Sequence, residues 1–296
     1  MIMPRWVVRP PKKSDAAALA TIATAVSQPR KHVNPNQLTW SMAQTDGRFW
    51  TITLKDQPIG YATLLPLPGL PGLFELAGGI APQFQRQGAG SFLWQTIKHD
   101  LMGTAVQQTT YTVNSLDTPT ARFLLHHHFA VEHEEYTMVL NDLDNITLPN
   151  PNTPFHLQRI GRQTAVPSLP DLYERCFVGT PWCQPYSAAE VAATWQPDDQ
   201  LYYLGEDNQD IGFVWLHFPK AGVAEIEPIG IVQEKQGLGY GRTLLTVTLN
   251  QLQSQGIKTV TLGVWASNLA AISLYQSTGF QTRSSSYSLT YIFNLK

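Results

Sequence analysis

The chain of 296 residues has little of what marks extracellular, membrane or nucleic-acid-binding proteins. Its 2 cysteines, Cys176 and Cys183, cannot form a disulfide framework, and we expect reduced thiols packed in or near the core. Charged residues make up only 14% of the chain, and the formal net charge is −2. Because binding to nucleic acid depends on an excess of Lys and Arg, the sequence predicts no nucleic-acid partner.

Long apolar runs are also missing. No segment approaches the roughly 18 consecutive apolar residues of a membrane helix, and residues 1–15 lack the apolar core of a signal peptide. We therefore expect a cytoplasmic protein without a membrane partner. Hydrophobic residues still make up 43% of the chain and aromatic residues 10%, which is enough for folded cores. At roughly 150 residues per domain, the length predicts two domains.

The sequence contains an internal repeat. The pattern Q-x-x-G-x-G begins at Gln85 and again at Gln236, a shift of 151 residues, and Phe129 and Phe280 are related by the same shift. The segment 59–61, Ile-Gly-Tyr, returns as Ile-Gly-Phe at 211–213. These matches predict a tandem duplication with domains at 1–147 and 155–296. The proline-rich segment 148–154 between them is expected to be an extended linker.

Each half has the same order of predicted elements. A short strand and a helical segment come first, followed by two strands in which apolar and polar residues alternate. A further strand, at 74–81 or 224–232, leads into the Q-x-x-G-x-G segment at 85–90 or 236–241, called here the glycine-rich loop. A helix, a strand, a short helix and a last strand pair follow; in the second half this pair is predicted over 283–295. The fold class is therefore α/β (mixed α+β), with two domains, each a mostly antiparallel mixed sheet flanked by helices.

The glycine-rich loop has the features of a phosphate site, because glycines let backbone N–H groups converge at a helix N-terminus. Other nucleotide-binding motifs do not fit. A P-loop needs a Lys that neither loop has, and the third glycine of a Rossmann loop is replaced by Leu93 and Leu244. The remaining alternative is a pair of tight turns without a ligand. The occurrence of the loop twice, each time between a strand and a helix, favours phosphate binding.

Two motifs together carry a resemblance to a known family. The loops within 80–90 and 231–241 are followed in the second half by N-x-x-A-x-x-L-Y-x-x-x-G-F at 268–280. This arrangement resembles the GNAT superfamily of acyl-CoA-dependent N-acetyltransferases, as a tandem two-domain member. The tandem architecture is also similar to mycothiol synthases, although no residue here selects their substrate.

The resemblance implies that acetyl-CoA (coenzyme A) is the cofactor and that the backbone amides of the loop bind its pyrophosphate. The implied cofactor-binding residues of the second half are Ile229, Gly230, Ile231, Gln236, Gly237, Leu238, Gly239, Tyr240, Gly241, Arg242 and Asn268. Those of the first half are Ile80, Gln85, Arg86, Gln87, Gly88, Ala89, Gly90 and Ser91.

Three residues of the second half are candidate catalytic residues. The resemblance places Tyr275 near the thioester sulfur, as the acid that protonates the departing thiolate; the alternative is that Tyr275 only packs on the stripe it shares with Leu269 and Ile272. Glu225 and Glu227 precede the loop on one strand face, and a glutamate in this strand is the base in some family members. Either of them can instead bind substrate or pair with an Arg. Asn268 can also simply cap the following helix.

The first half departs from the second motif. Leu124 stands in the place of Tyr275 and Asp117 in that of Asn268, while Glu75 lies one residue out of step with the glutamates of the second half. We therefore expect this half to bind cofactor or to be structural. The run 126–128 of three histidines does not predict a metal site, because adjacent side chains on a helix diverge by about 100°. No metal is expected.

The function predicted from these residues is acetyl transfer from acetyl-CoA to a primary amine. The amine would attack the thioester directly, with a glutamate assisting its deprotonation and Tyr275 as the acid. The acceptor, a small molecule or a peptide or protein amine, is not selected by the sequence, and neither is the oligomeric state. The alternative from another class is a non-catalytic acyl-CoA-binding regulatory or scaffold protein.

Overall fold

The computed structural model describes residues 6–26, 47–67, 69–149, 156–207 and 209–293. Contacts divide the chain into two compact units. The first unit consists of Met1–Glu132 with Tyr287–Lys296, and the second of His133–Ser286. Most of the predicted linker at 148–154 lies outside the described residues.

The strands of the first unit are listed in their order in the sheet: β1 (Trp6–Arg9), β2 (Arg48–Leu54), β3 (Gln57–Pro66), β4 (Leu73–Ile80), β5 (Gln108–Val113) and residues 287–292 of β12 (Gln281–Ile292). Strands β4 and β5 run parallel, and the other described neighbours are antiparallel. The helices are α1 (Ala16–Val26), α2 (Ala89–Leu101) and α3 (Pro119–His126).

The second unit repeats this arrangement. Its strands in sheet order are β7 (His156–Ile160), β8 (Gln200–Glu206), β9 (Gln209–Lys220), β10 (Val223–Ile231), β11 (Thr259–Trp265) and residues 133–140 of β6 (Ala130–Leu140). Here β10 and β11 run parallel. The helices are α4 (Arg162–Phe177), α5 (Ala188–Thr194), α6 (Tyr240–Ser254) and α7 (Leu269–Ser277). None of the helices in the described ranges is long and apolar enough to cross a membrane.

The last strand of each sheet comes from the other half of the duplicated sequence. Leu140 of β6 pairs with Val260 in the second unit, and Tyr287 of β12 pairs with Val113 in the first. The predicted boundaries, 1–147 and 155–296, follow the duplicated sequence, whereas the contacts place 133–147 with the second unit and 287–296 with the first. The predicted strand pair at 283–295 is wrong: up to residue 292 the chain forms one strand, because its ladder with β5 continues without a turn.

Each unit has its own core between sheet and helices. In α6, the predicted apolar stripe of Leu245, Leu249 and Leu252 is fully buried, which confirms its orientation. Burying each such leucine contributes about 1.5–3 kcal/mol to folding. Cys176 is also fully buried, and burial raises the pKa of this thiol to about 12, so it remains protonated. The packing of these helices fixes the position at which each glycine-rich loop ends and the following helix begins.

Candidate active site

Both glycine-rich loops adopt the same backbone conformation. Gly88 and Gly239 precede the first residues of α2 and α6 with φ angles of +93° and +92°. This left-handed region is accessible to glycine at little cost, which explains the residue type at both positions. The first N–H groups of each helix have no partner within the helix and point towards the loop. The two loops therefore have the geometry of anion-binding turns.

The glutamine that opens each motif ties the loop to the strand before it. Gln85 Nε2 donates to the carbonyl oxygen of Ile80 at 2.7 Å. Gln236 Nε2 donates to the carbonyl oxygen of Ile231 at 2.9 Å and to that of Cys176 at 3.2 Å. The sequence had suggested cofactor contacts for these glutamines, and the structure gives their side chains a role in holding the loop.

A cavity of about 480 Å³ lies beside the loop of the first unit. Of the cofactor-binding residues predicted there, six line it: Ile80, Gln85, Arg86, Gly88, Gly90 and Ser91. Ala89 is buried, and Gln87 Nε2 donates to the carbonyl oxygen of Gln83 at 3.0 Å.

The apolar wall of this cavity includes Leu76 and Leu124, which are 6% and 3% exposed. The 151-residue shift relates Leu76 to Glu227 and Leu124 to Tyr275. In the ladders, Leu76 pairs with Leu64 as Ile226 pairs with Leu216, and β4 has no bulge. The first unit therefore has a leucine in place of the candidate acid and no counterpart of the bulged Glu227 on β4. The sequence did not predict this difference, because the extra residue of the bulge is visible only in the strand register.

In the second unit, the candidate glutamates lie where β10 departs from regular pairing. Glu225 is still paired with His217 on β9. The register then shifts between Ile226 and Ile229, so that Glu227 and Pro228 form a β-bulge. Bulges re-aim side chains and often lie beside active sites. The alternating pattern of the strand predicted that the two glutamates lie on the same face, but it did not predict the bulge.

The surroundings of Glu227 raise the pKa of its carboxyl to about 7. The side chain remains accessible to solvent, but the protein around it removes much of its hydration, which is the largest cause of the shift. The negative charges of Glu225 and Glu135 raise the pKa further, and His217 lowers it. Near pH 7 this carboxyl group can both lose and accept a proton, as a general base must.

Tyr275 is almost completely buried on α7, with 7% of its surface exposed, and burial raises its pKa to about 12. Its hydroxyl therefore stays protonated at neutral pH. The alternative apolar stripe is incomplete, because Leu269 is 74% exposed. Asn268 caps α7: its Oδ1 accepts a hydrogen bond from the backbone N–H of Ala271 at 3.2 Å.

The other predicted cofactor residues of the second unit have varied surroundings. Ile229, Gly230 and Ile231 end β10, and Gly230 allows close packing, because a Cβ there would lie 2.9 Å from Phe177. Leu238 and Arg242 are exposed.

Tyr240, at the start of α6, is held at the rim of the loop. Its hydroxyl donates to Glu206 Oε1 at 2.6 Å, and Lys235 Nζ lies 2.6 Å from Glu206 Oε2. The hydrogen bond from Lys235 lowers the pKa of Glu206. The backbone N–H groups of residues 237–242 therefore lie next to a fixed cluster of charged side chains.

An Asp–His pair beside Glu227 was not found from the sequence. Asp199 Oδ1 lies 2.9 Å from His217 Nδ1, and His217 Nε2 lies 2.8 Å from the carbonyl oxygen of Glu227. No motif links these residues, since they meet only through the register of β8, β9 and β10. Within the described residues, no group of three or more His, Cys, Asp or Glu side chains is placed to hold a metal ion. In the histidine run, His127 Nε2 instead lies 2.9 Å from Ser91 Oγ.

Comparison with known proteins identifies relatives of this arrangement. Among curated proteins, mycothiol acetyltransferase from Paenarthrobacter aurescens is 35% identical over 98 residues, which are 31% of this chain and 30% of the relative. The mycothiol acetyltransferase of Streptomyces avermitilis is 38% identical over 87 residues, 29% of this chain and 28% of the relative. The chain thus matches less than a third of the length of these two relatives.

Solved structures resemble the fold along almost the whole chain. A GCN5-related N-acetyltransferase from Sphaerobacter thermophilus has a TM-score of 0.70 and 18% identity, over 97% of this chain and 95% of that one. A tandem GNAT protein from the clavulanic acid biosynthesis pathway has a TM-score of 0.67 and 14% identity, over 99% of both chains. These likenesses confirm the predicted fold class, a tandem pair of mixed α/β domains.

The sequence model of the acetyltransferase (GNAT) family matches the chain twice, at residues 17–129 and 166–280. Each match contains one glycine-rich loop, and together they cover most of the chain. The conformation of both loops and the strand order of both units agree with this assignment. The chain therefore belongs to the acetyltransferase (GNAT) family, as a member with two domains in tandem.

Proposed function

We propose that this protein transfers an acetyl group from acetyl-CoA to a primary amine and that the reaction takes place in the second unit. The observation that supports this most is the position and ionisation of Glu227. It lies on the strand that leads into the glycine-rich loop, and the pKa of its carboxyl is raised to about 7. A base with a pKa near the working pH is effective in proton transfer. In the first unit, the 151-residue shift of the repeat relates Glu227 to Leu76.

The loop of the second unit fits the pyrophosphate of the cofactor. A Cβ added at Gly237 or Gly239 would meet no heavy atom within 4 Å, so the space above the loop is open. The backbone N–H groups of residues 237–242 and the N-terminus of α6 would hold the phosphates. When bound there, acetyl-CoA supplies the activated acetyl thioester.

Glu227 and Tyr275 would divide the proton transfers. Glu227 accepts a proton from the acceptor ammonium, so that the nitrogen lone pair can attack the carbonyl carbon while the C–S bond breaks. The hydroxyl of Tyr275, which burial keeps protonated, donates a hydrogen bond to the sulfur as it gains negative charge. A phenol with a pKa of about 12 is a weaker acid than a thiol, whose pKa is roughly 8.5, so this hydrogen bond carries most of the stabilisation.

The first unit has the features of a non-catalytic acyl-CoA site, which supports this second function for one half of the chain. Its loop and cavity are formed, but β4 has no bulge corresponding to that of Glu227, and Leu124 lines the cavity where the acid would be needed. For the acceptor, the two mycothiol acetyltransferases among the relatives favour a small-molecule amine over a protein lysine.

Replacing Glu227 with Gln tests the proposal. We expect kcat/KM to fall by ~10³-fold, within the usual contribution of general base catalysis, in an assay of thiol release from acetyl-CoA with a panel of amines. Glu225→Gln removes the neighbouring carboxylate, and a comparison of the two variants shows which glutamate is the base. Glu75→Gln is the matched control on β4 of the first unit and should leave turnover unchanged. In the native protein, kcat/KM should rise with pH through about 7 as Glu227 ionises.

Stability separates lost chemistry from lost folding. Because the pKa of Glu227 is higher in the folded than in the unfolded chain, the folded state binds the proton more tightly, and stability falls as the pH rises between about 4.5 and 7. Gln carries no such charge, so Glu227→Gln should melt at a higher temperature than the native protein at pH 8. Native turnover in Glu227→Gln would contradict the proposed base, and unchanged turnover in both glutamate variants would contradict a carboxylate base in this strand.

A further inference from the structure

We propose that Asp199 and His217 are positioning residues that fix the backbone of Glu227 and set the pH range in which its carboxylate acts. The inference rests on the proposed role of Glu227 as the base. It concerns residues that carry no family motif and that reach the site from two other strands. Asp199 is buried, His217 lies between Asp199 and the backbone of Glu227, and further charged groups surround Glu227.

Asp199 is a buried carboxylate with both oxygens engaged. Its side chain is 1% exposed. Oδ2 accepts from Trp215 Nε1 at 3.1 Å and from the backbone N–H of Gln196 at 2.9 Å, and Oδ1 faces His217 Nδ1 at 2.9 Å. A carboxylate that receives two N–H donors on one oxygen is fixed in its orientation. The turn before β8 thus presents a fixed carboxylate oxygen to His217.

The partners of His217 define its protons. Nε2 faces the carbonyl oxygen of Glu227 at 2.8 Å, and because a carbonyl only accepts, this nitrogen carries a proton. Nδ1 faces the carboxylate of Asp199. The imidazole therefore bridges this buried carboxylate and the Glu227 carbonyl, and the two contacts fix the orientation of its ring.

The bulge explains why this contact matters for Glu227. Residues 227 and 228 leave the regular ladder between β9 and β10, and Pro228 has no N–H to contribute. The carbonyl of Glu227 instead accepts from the His217 side chain. This hydrogen bond holds the bulge and with it the direction of the Glu227 side chain.

His217 also acts on the ionisation of Glu227. The charged groups that face Glu227 are Glu225 and Glu135, which raise the pKa of its carboxyl, and His217, which lowers it. Burial raises the pKa of Tyr186 most, and the nearby Glu227 raises it further. Without His217, the effect of the two carboxylates on Glu227 would lose this counterweight, and the base would ionise only at higher pH.

The first unit supports the link between the pair and the base. There, Glu75 and Leu65 form the ladder pair that corresponds to Glu225 and His217, since Leu64 pairs with Leu76 as Leu216 pairs with Ile226. Strand β4 pairs with β3 without a bulge, and the unit that lacks the bulge also lacks the histidine.

His217→Gln is the decisive variant. The Gln amide can still donate to the Glu227 carbonyl, but the influence of His217 that lowers the pKa of Glu227 is gone. We expect the acid limb of the kcat/KM–pH profile to move up by ~0.5–1 pH unit, with activity recovering at alkaline pH and coenzyme A affinity unchanged. Asp199→Asn should move the limb in the same direction, because it removes the carboxylate that orients His217. His99→Gln, an exposed histidine on α2, is the control and should leave the profile unchanged.

A measurement on the native protein guards against variants that fail to fold. In ¹⁵N NMR, Nε2 of His217 should carry a proton that is hydrogen-bonded to the Glu227 carbonyl, and an Nε2 without a proton would overturn the proposal. A uniform loss of activity at all pH values, with the limb in place, would also overturn it. If Glu227→Gln is inactive while His217→Gln keeps the native profile, this inference fails alone; if Glu227→Gln remains active, the proposed base fails first.

Discussion

The two units share one loop geometry and differ in the side chains around it. Gly88 and Gly239 have the same φ angle within one degree, and both loops are tied back by a glutamine. Yet the first unit has Leu124 where the second has Tyr275, and its β4 lacks the bulge that carries Glu227. A phosphate-binding turn is made by the backbone and survives duplication easily, whereas the chemistry depends on two side chains that a few substitutions remove.

After the loss expected for Glu227→Gln, the largest difference between the units should come from the tyrosine. Tyr275→Phe keeps the ring and its packing, at 5.9 Å from Phe280, but removes the hydroxyl. We expect kcat to fall by ~10²-fold, the lower end for general acid–base catalysis, with little change in melting temperature. Steady-state kinetics with a good acceptor measures this. Tyr202→Phe, a buried tyrosine that bonds Gln200, is the control. Near-native turnover in Tyr275→Phe would leave this residue as core packing.

The loop glycines should give the next largest effect. Valine at residue 88 or 239 would be held at a positive φ, which costs about 1–3 kcal/mol and crowds the phosphate site. We expect Gly239→Val to weaken coenzyme A binding by ~10-fold in calorimetry. In the first unit a Cβ would also lie 3.2 Å from the Trp6 ring, so Gly88→Val should lower the melting temperature more.

Gly222→Val is matched to Gly239→Val. Gly222 has a φ of +74° and open space around it, but it lies in the turn between β9 and β10. The Gly222→Val variant should be less stable than the native protein but should bind coenzyme A with the same affinity. If all three valine variants bind coenzyme A like the native protein, neither loop holds the cofactor.

The glutamine ties should give the smallest effect. Gln236→Ala removes two hydrogen bonds and Gln85→Ala one, each with a net value of about 0.5–1.5 kcal/mol. We therefore expect the second unit to lose more thermal stability than the first, and its coenzyme A affinity to fall a few-fold. Gln251→Ala, on the exposed side of α6, is the control in a differential scanning experiment. Equal losses at residues 85 and 236 would contradict the difference between the two ties.

The sequence was sufficient for those features that depend on local pattern. Glycine spacing predicted the loops, alternation predicted the strands that lead into them, and the spacing of Leu245, Leu249 and Leu252 predicted the buried face of α6. It was not sufficient for features set by pairing between distant segments. The bulge at Glu227 depends on the register of β9 and β10, and the contact of Asp199 with His217 follows from that register.

The exchange of end strands has a consequence for how the chain matures during synthesis. Strand β5 pairs with residues 287–292, which follow it in the chain by more than 170 residues. Until they are synthesised, the first unit exposes the unpaired backbone of β5, a template for pairing with other chains. Completion of this sheet thus waits for residues 287–292, although its glycine-rich loop is synthesised some 200 residues earlier. The half without the candidate acid and base therefore completes its sheet only after the residues of the candidate acid and base have been synthesised.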